Sequence, residues 1–358
     1  MGSEIGGGGC YGILGHGKPL TRPRPSGNGG KTCLSGTIMT ELPAFLDSTR
    51  PLVPDLSVPR GVTPFYLPER PVRGRLVRLG PLGATLLSRH EHPAPVRVLL
   101  GQALALAAGL STALKFKGSF SIQVRGDGPV PMLVVDCTEA GALRGYVREA
   151  ENAEIPEGAS ARQLLGNGYI AFTVDQGLDK DPSQGIVAIE GETLAEMAEY
   201  YFSTSEQLPA RIFLAAAETE SGWRASALVL ERVAGAGGVG LELSEDDQTE
   251  AWRTASILAD TITDEELLDD ALPPERLLYR LFHIEGVAVS RPRALSFGCR
   301  CSRQRLGGIL EGFNQDDLDH MSVEGQIIMT CEFCNFDFRF AREDVAGRPN
   351  TTEAGAPE

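Results

Sequence analysis

Residues Pro95–Val135 read PVRVLLGQALALAAGLSTALKFKGSFSIQVRGDGPVPMLVV, and the hydrophobic period changes half-way along them. Val96, Leu99, Leu100, Ala103, Leu106, Ala107 and Leu110 recur at three- and four-residue steps, and Pro95 suits a first helical turn. The spacing predicts a core helix between Pro95 and Leu114. Beyond it Phe120, Ile122 and Val124 alternate with polar partners, Gly126-Asp127-Gly128 supplies a turn, and Met132–Val135 is a compact apolar run. That is the pattern of a β-hairpin. The uncharged segment Val98–Leu114 is shorter than the roughly 20 apolar residues of a spanning helix and contains Gln102, Ser111 and Thr112. It reads as a buried helix, and no membrane partner is expected.

Strand-like runs lie on both sides: Arg73–Val77 before, and Leu143–Val147, Tyr169–Val174, Gly185–Ile189, Arg211–Ala217 and Ala225–Val233 after. One helix interrupts them, opened by the capping box Thr193-x-x-Glu196 and carrying Leu194, Met197, Ala198 and Tyr201 on one side. Strands in runs with few helices predict an α+β core with a mostly antiparallel sheet and packed helices. Residues 40–68 are rich in proline without a clear period, and Gly235-Ala236-Gly237-Gly238 breaks the pattern at the other end. The core domain is therefore placed at residues 62–235.

Of the first 38 residues, 12 are glycine and three are proline, so residues 1–61 are expected to form a disordered extension, with Met39 a candidate for the true start of translation. Gly30-Lys31-Thr32 matches the end of a phosphate-binding loop, but Pro25 stands where its first glycine belongs. No basic stretch followed by an apolar core marks a secretion signal, which makes the cytosol the expected compartment.

Residues 236–296 read as an acidic helical linker. Between Glu242 and Glu275 there are twelve acids and one base, Arg253, which supply eleven of the fifteen net negative charges. Ala251, Ala255, Leu258 and Ile262 still make a helical stripe, Thr263-x-x-Glu266 is a second capping box, and Pro273-Pro274 opens a helix through Leu277, Leu278, Leu281 and Phe282. Such short helices are marginal alone and depend on docking. Their acids form either a solvated face or a specific partner-binding feature. A net charge of −15 repels phosphate backbones, so nucleic acid is not expected as a partner despite the local cluster Arg300, Arg303 and Arg305.

Four of the seven cysteines form Cys299-x-Cys301 and Cys331-x-x-Cys334 with 29 residues between the pairs. In a reducing compartment such pairs point to metal or redox chemistry rather than a permanent disulfide framework. One zinc ion held by four thiolates is the expected cofactor, with a disulfide scaffold or a metal-free dithiol as alternatives. Residues 297–345 form the expected zinc domain, and 346–358 a frayed tail. A domain of roughly 50 residues with so few apolar groups needs a staple. A closed four-thiolate site leaves no position for water or substrate, so hydrolytic catalysis is not expected. Oxidation of the pairs removes the anionic ligands, and four cysteines allow three pairings. A thiol–disulfide oxidoreductase using Cys331-x-x-Cys334 is the competing reading. His90-Glu91-His92 reads as a surface loop, His320 as exposed, and Cys137 as a small buried residue.

The run Cys299-x-Cys301-Ser302-Arg303 with Cys331-x-x-Cys334 resembles the zinc signature of the heat shock protein 33 family of redox-regulated chaperones. Similarity continues at Leu114-Lys115-Phe116, Gln123-x-x-Gly126-Asp127-Gly128-Pro129, Gly166-Asn167-Gly168-Tyr169, Glu190-Gly191-Glu192-Thr193-Leu194 and Ser205-Glu206-Gln207-Leu208-Pro209, together spanning about residues 62–345. The resemblance implies an inactive reduced form with zinc bound, and disulfides Cys299–Cys301 and Cys331–Cys334 on oxidation. It further implies an unfolded linker and an active homodimer that holds unfolding client proteins without ATP. The long N-terminal extension departs from the family pattern.

Overall fold

The computed structural model describes residues 56–112, 118–177, 181–233 and 244–348. The expectations about the extension up to residue 55, Met39, Leu114–Phe116, the Gly235–Gly238 break and the tail beyond 348 lie outside the described residues. In chain order the elements are β1 (Ser57–Leu67), β2 (Val72–Arg78), α1 (Pro81–Leu87), α2 (Ala94–Ser111), β3 (Ser119–Gly126), β4 (Met132–Thr138) and β5 (Ala142–Arg148). Next come α3 (Ala161–Leu165), β6 (Gly168–Asp175), β7 (Ser183–Ala188), α4 (Leu194–Tyr201), β8 (Ala210–Thr219) and β9 (Gly222–Arg232). The acidic segment forms α5 (Glu245–Ala259), α6 (Asp264–Leu268) and α7 (Pro274–Phe282), followed by β10 (Ala288–Val289) and β11 (Arg293–Phe297). The cysteine-bearing end adds α8 (Arg303–Leu310), α9 (Gln315–Met321), β12 (Gln326–Thr330) and β13 (Asp337–Ala341).

The fold is α+β, with one large sheet ordered β7-β6-β3-β4-β5-β11-β1-β2-β9-β8 and β10 paired to β1. All its pairings are antiparallel except β11 with β5, which joins two antiparallel halves. The hairpin expected around Gly126-Asp127-Gly128 is β3–β4, in register from Ser119↔Thr138 to Arg125↔Met132. Both capping boxes form, at Thr193 with Glu196 and at Thr263 with Glu266. Helix α2 is buried nearly all round beneath the sheet. By length and composition alone it could cross a membrane, but 72% of it is buried inside the core.

The first strand starts at Ser57, five residues before the expected core boundary at 62, and precedes the strand expected at Arg73–Val77. Two prolines hide its period. Pro59 falls where the β1–β11 register shifts between Val58 and Val62. The Pro64 carbonyl accepts from the Ser290 amide at 2.8 Å, on the β10 side, so its missing N–H leaves the β1–β2 ladder intact. Arg293–Phe297, at the expected end of the linker, is β11, a strand within the large sheet.

Strand β9 is covered on both faces. Ala225, Ala227 and Val229 pack with α2, while Leu228 and Leu230 join Phe65, Leu67, Val72 and Leu76 under the acidic helices. From those helices Ala255, Ala259, Leu267, Leu277, Leu278, Leu281 and Phe282 descend onto this face. Phe282 stacks on Phe65 at 5.5 Å. Phe65 has room because residue 74 is glycine: a Cβ there would lie 2.3 Å from its ring. Three of the linker acids pair with arginines of the core. Asp260 pairs with Arg211, Glu275 with Arg60, and Asp270 with Arg224 at 2.6 Å. Arg78 donates to the carbonyls of Leu272 and Glu266. Most of these pairs are exposed and orient the helices more than they stabilise them.

Beneath the same strands Arg75 Nη1 donates to Glu231 Oε1 at 2.7 Å, and Arg73 Nε to Oε2 at 2.7 Å. Burial raises the Glu231 carboxyl, but Arg75 and then Arg73 outweigh it and hold the group below its ordinary value. With the folded value depressed, the pair stabilises the fold above the unfolded carboxylate range of about pH 4.3. That contribution is lost as pH falls through the folded value. Urea midpoints of the parent chain are expected to drop in that acid window, whereas Glu231→Gln unfolds more easily at neutral pH and lacks that part of the drop. Equal acid slopes in the two chains would exclude Glu231 as the source.

Candidate metal centre

Strand β11 ends beside β5, and the Gly298 amide donates to the Leu143 carbonyl at 2.8 Å. A Cβ at residue 298 would sit 2.5 Å from the Ala142 backbone, so glycine lets Cys299 start hard against the sheet. Three residues on, Ser302 caps α8 by accepting from the Arg305 amide at 3.2 Å, which fixes Cys301 just outside the helix N-terminus. The second pair sits in a tight turn between β12 and β13, where Cys331 donates its amide to the Phe336 carbonyl and accepts from Asn335 at 2.7 Å. Asn335 adopts φ 54°, a left-handed value that asparagine tolerates.

These turns bring all four sulfurs within 4.8 Å of one another, each residue buried, and all four are free thiols. The Sγ separations are 3.4 Å for Cys299–Cys301, 3.5 Å for Cys301–Cys334 and 3.7 Å for Cys299–Cys331. A tetrahedron with metal–sulfur bonds of about 2.3 Å has edges of about 3.8 Å, so the donor set fits one thiophilic ion. Among the described residues no other group of three or more histidines, cysteines and acids converges this way. Four anionic sulfurs at this spacing require a cation. Without one, protons are shared: the hydrogen bond with Cys301 holds Cys299 down at about 7, and that with Cys299 lowers Cys331. Cys301 and Cys334 are pushed up, first by their hydrogen bonds to Cys299. Around the sulfurs Leu310, Leu318, Ile327, Phe338, Phe340 and Val345 complete a small separate core.

The cysteine unit leans on the outward face of β4–β5 through the residues its pairs enclose. Arg300 pairs with the buried carboxylate of Asp136, which also takes Arg144 Nε at 2.6 Å across the β4–β5 ladder. Phe333 lies under the Arg144 guanidinium at 4.0 Å and meets Tyr146 edge-on at 4.9 Å. Glu332 pairs with Arg148 at 2.9 Å. His90 Nε2 donates to the Glu332 carbonyl at 2.7 Å, so the His90-Glu91-His92 loop is more than a surface loop, although neither histidine joins the sulfurs. His92 pairs with Glu149 at 2.5 Å.

His320 is exposed and bonds the Asp316 carbonyl at 2.7 Å. Cys137 is fully buried, and burial pushes its thiol up to about 12, which suits a core residue and not a nucleophile. In the local basic cluster, Arg303 donates to the Arg339 carbonyl at 2.6 Å and covers the Phe340 ring at 4.6 Å. Asp136, Arg144 and Tyr146 were not legible as site neighbours. The available hint was a charged residue, Asp136, inside an otherwise apolar strand.

The sequence model of the Hsp33 protein family matches residues 61–341. The chain belongs to the Hsp33 family. A 33 kDa chaperonin of Caulobacter vibrioides (strain NA1000 / CB15N) is 40% identical over 284 residues, covering 76% of this chain and 92% of that one. One from Enterobacter sp. (strain 638) is 34% identical over 290 residues, covering 80% and 94%. The solved structure of a 33 kDa chaperonin from Thermotoga maritima superposes with a TM-score of 0.67 at 22% identity, covering 80% of this chain and 96% of that one. That likeness supports the shared fold. This Hsp33-family chain therefore combines a chaperone-family core with a C-terminal cluster of four cysteines able to bind one metal ion.

Proposed function

We propose that this chain is a redox-regulated, ATP-independent holdase that acts in the cytosol and is inactive while reduced. The observation that carries the reading is the pairing of a buried four-thiol cluster with an acidic linker lying over an apolar sheet face. Zinc, when bound by Cys299, Cys301, Cys331 and Cys334, would offset half the charge of the four thiolates and tie two distant turns together. A peroxide oxidises each close pair: one thiolate attacks the peroxide oxygen and becomes a sulfenic acid, and its neighbour displaces hydroxide to close a disulfide. Each pair gives up two electrons, and one hydrogen peroxide with two protons becomes two waters. The expected bonds are Cys299–Cys301 and Cys331–Cys334, as family resemblance implies. Disulfides are no longer anionic donors, so the site loses its metal, the small core around it fails, and the linker undocks. The uncovered face, with Phe65, Leu76, Leu228 and Leu230, then binds unfolding client proteins, with the oxidised chain as a homodimer. Burial of both sulfurs of the Cys331-x-x-Cys334 pair favours a switch over an oxidoreductase with an accessible nucleophile.

The test is light scattering from a heat-unfolding client with the chain reduced and zinc-loaded or oxidised by peroxide at an unfolding temperature. Suppression by the oxidised chain alone is expected. Equal failure of both forms overturns the switch, and catalytic turnover in an insulin-reduction assay would favour the oxidoreductase.

A further inference from the structure

The residues between the cysteines are not ligands, yet each pair turns at least one of them onto the core sheet. Arg300 reaches Asp136, and Phe333 fits between Arg144 and Tyr146. Strand β5 alternates accordingly: Leu143, Gly145 and Val147 face inward, while Arg144, Tyr146 and Arg148 present the outward face that the cysteine unit covers. Asp136 lies opposite Arg144 in the ladder and is itself buried, so its carboxylate holds one guanidinium from the sheet and one from the cysteine unit. A buried carboxylate shared by two arginines is a strong, directional anchor. Phe333 adds a ring between a cation and a second ring, contacts that depend on its position to within about an ångström.

We propose that Arg300 and Phe333 latch the cysteine unit onto the β4–β5 face, and that this latch sets how fast the four thiolates give up their metal. The inference rests on the metal reading above and adds positioning residues to it. The physical route is short. Each latch residue sits one or two positions from two ligand cysteines, so freeing it lets the pair of sulfurs swing and a competing ligand enter. Loss of partners that orient metal ligands costs about 10–100-fold in metal affinity. The core side of the latch, Asp136 and Tyr146, is remote in sequence from every ligand, and a purely local role of the turns would leave it without influence.

The experiment follows zinc transfer from the reduced, loaded full-length chain to a chromogenic chelator. Arg300→Ala, Phe333→Ala and Tyr146→Ala are each expected to speed transfer by about 10–100-fold. Phe333→Tyr, which keeps the ring, is expected to restore the parent rate, and His320→Ala, on the exposed side of the cysteine unit, to leave it unchanged. Hydrogen exchange of β3 reports that the core stays folded. Should Tyr146→Ala disturb the core, Phe333→Ala against Phe333→Tyr decides alone. Transfer within twofold of the parent for Phe333→Ala, or for a folded Tyr146→Ala, overturns the latch. A parent chain that takes up no zinc instead overturns the metal reading.

Discussion

Stripping the metal from the reduced chain with a chelator is expected to melt residues 299–345 while the strands β3, β4 and β6 stay folded. The core around the sulfurs holds ten buried residues, four of them the cysteines themselves, and it is separate from the two larger clusters. Structural four-thiolate sites contribute apparent binding free energies of about 10–16 kcal/mol, and in a unit this small that is also its folding free energy. Hydrogen exchange measures it directly. The β12–β13 ladder, from Gln326↔Ala341 to Thr330↔Asp337, should lose protection, and readdition of zinc should restore it. Protection that survives chelation would make the metal dispensable for folding. The acidic helices provide a second readout. Cys299 follows β11, whose Leu295 is buried against β1 at Gly61, and β10 pairs Val289 with Phe65 beneath α7. A cysteine unit that melts therefore pulls on the strand that lies under the linker, and α5–α7 are expected to exchange faster as well.

Much of this was legible in the sequence because local chemistry was undisturbed. The change of period at Pro95–Val135, the capping boxes at Thr193 and Thr263, and the prolines at 273–274 each act within a few residues, and each sits where it was read. The cysteine spacing was legible for the same reason: each pair needs one turn. Long-range relations were hidden. Strand β1 was obscured by Pro59 and Pro64, whose tolerance depends on neighbours brought from residues 288–297. Helices α8 and α9 went unread between the cysteine pairs, since each buries a single side chain, Leu310 or Leu318. Docking of the linker had one sequence signature. Ala225–Leu230 is almost continuously apolar where a strand with one wet face alternates, which is how a strand covered on both faces reads.

Replacing Phe282 by alanine is expected to free the linker with the cysteines still reduced and zinc-loaded. Phe282 is fully buried at the end of α7 and stacks on Phe65 in the space left by Gly74. Truncating a buried phenylalanine costs about 3–5 kcal/mol, through lost transfer energy and the cavity left behind. That loss falls on short helices held to the sheet by few large side chains, chiefly Leu267, Leu277, Leu278, Leu281 and Phe282 itself. Sheet strands β1, β2 and β9 keep their own ladders and α2 beneath them, so local opening of α5–α7 is cheaper than global unfolding. Phe282→Ala should then suppress client aggregation without oxidant, with faster exchange in α5–α7 and unchanged zinc content. Tyr279→Ala is the control, because that ring on the same helix is 63% exposed and its loss should change stability by less than about 0.5 kcal/mol. A Phe282→Ala chain whose linker opens by exchange but which leaves client aggregation untouched would mean that the face under α7 does not hold clients. Oxidation would then have to create its binding surface elsewhere, with the outward face of β4–β5, bared when the cysteine unit leaves, as the next place to look.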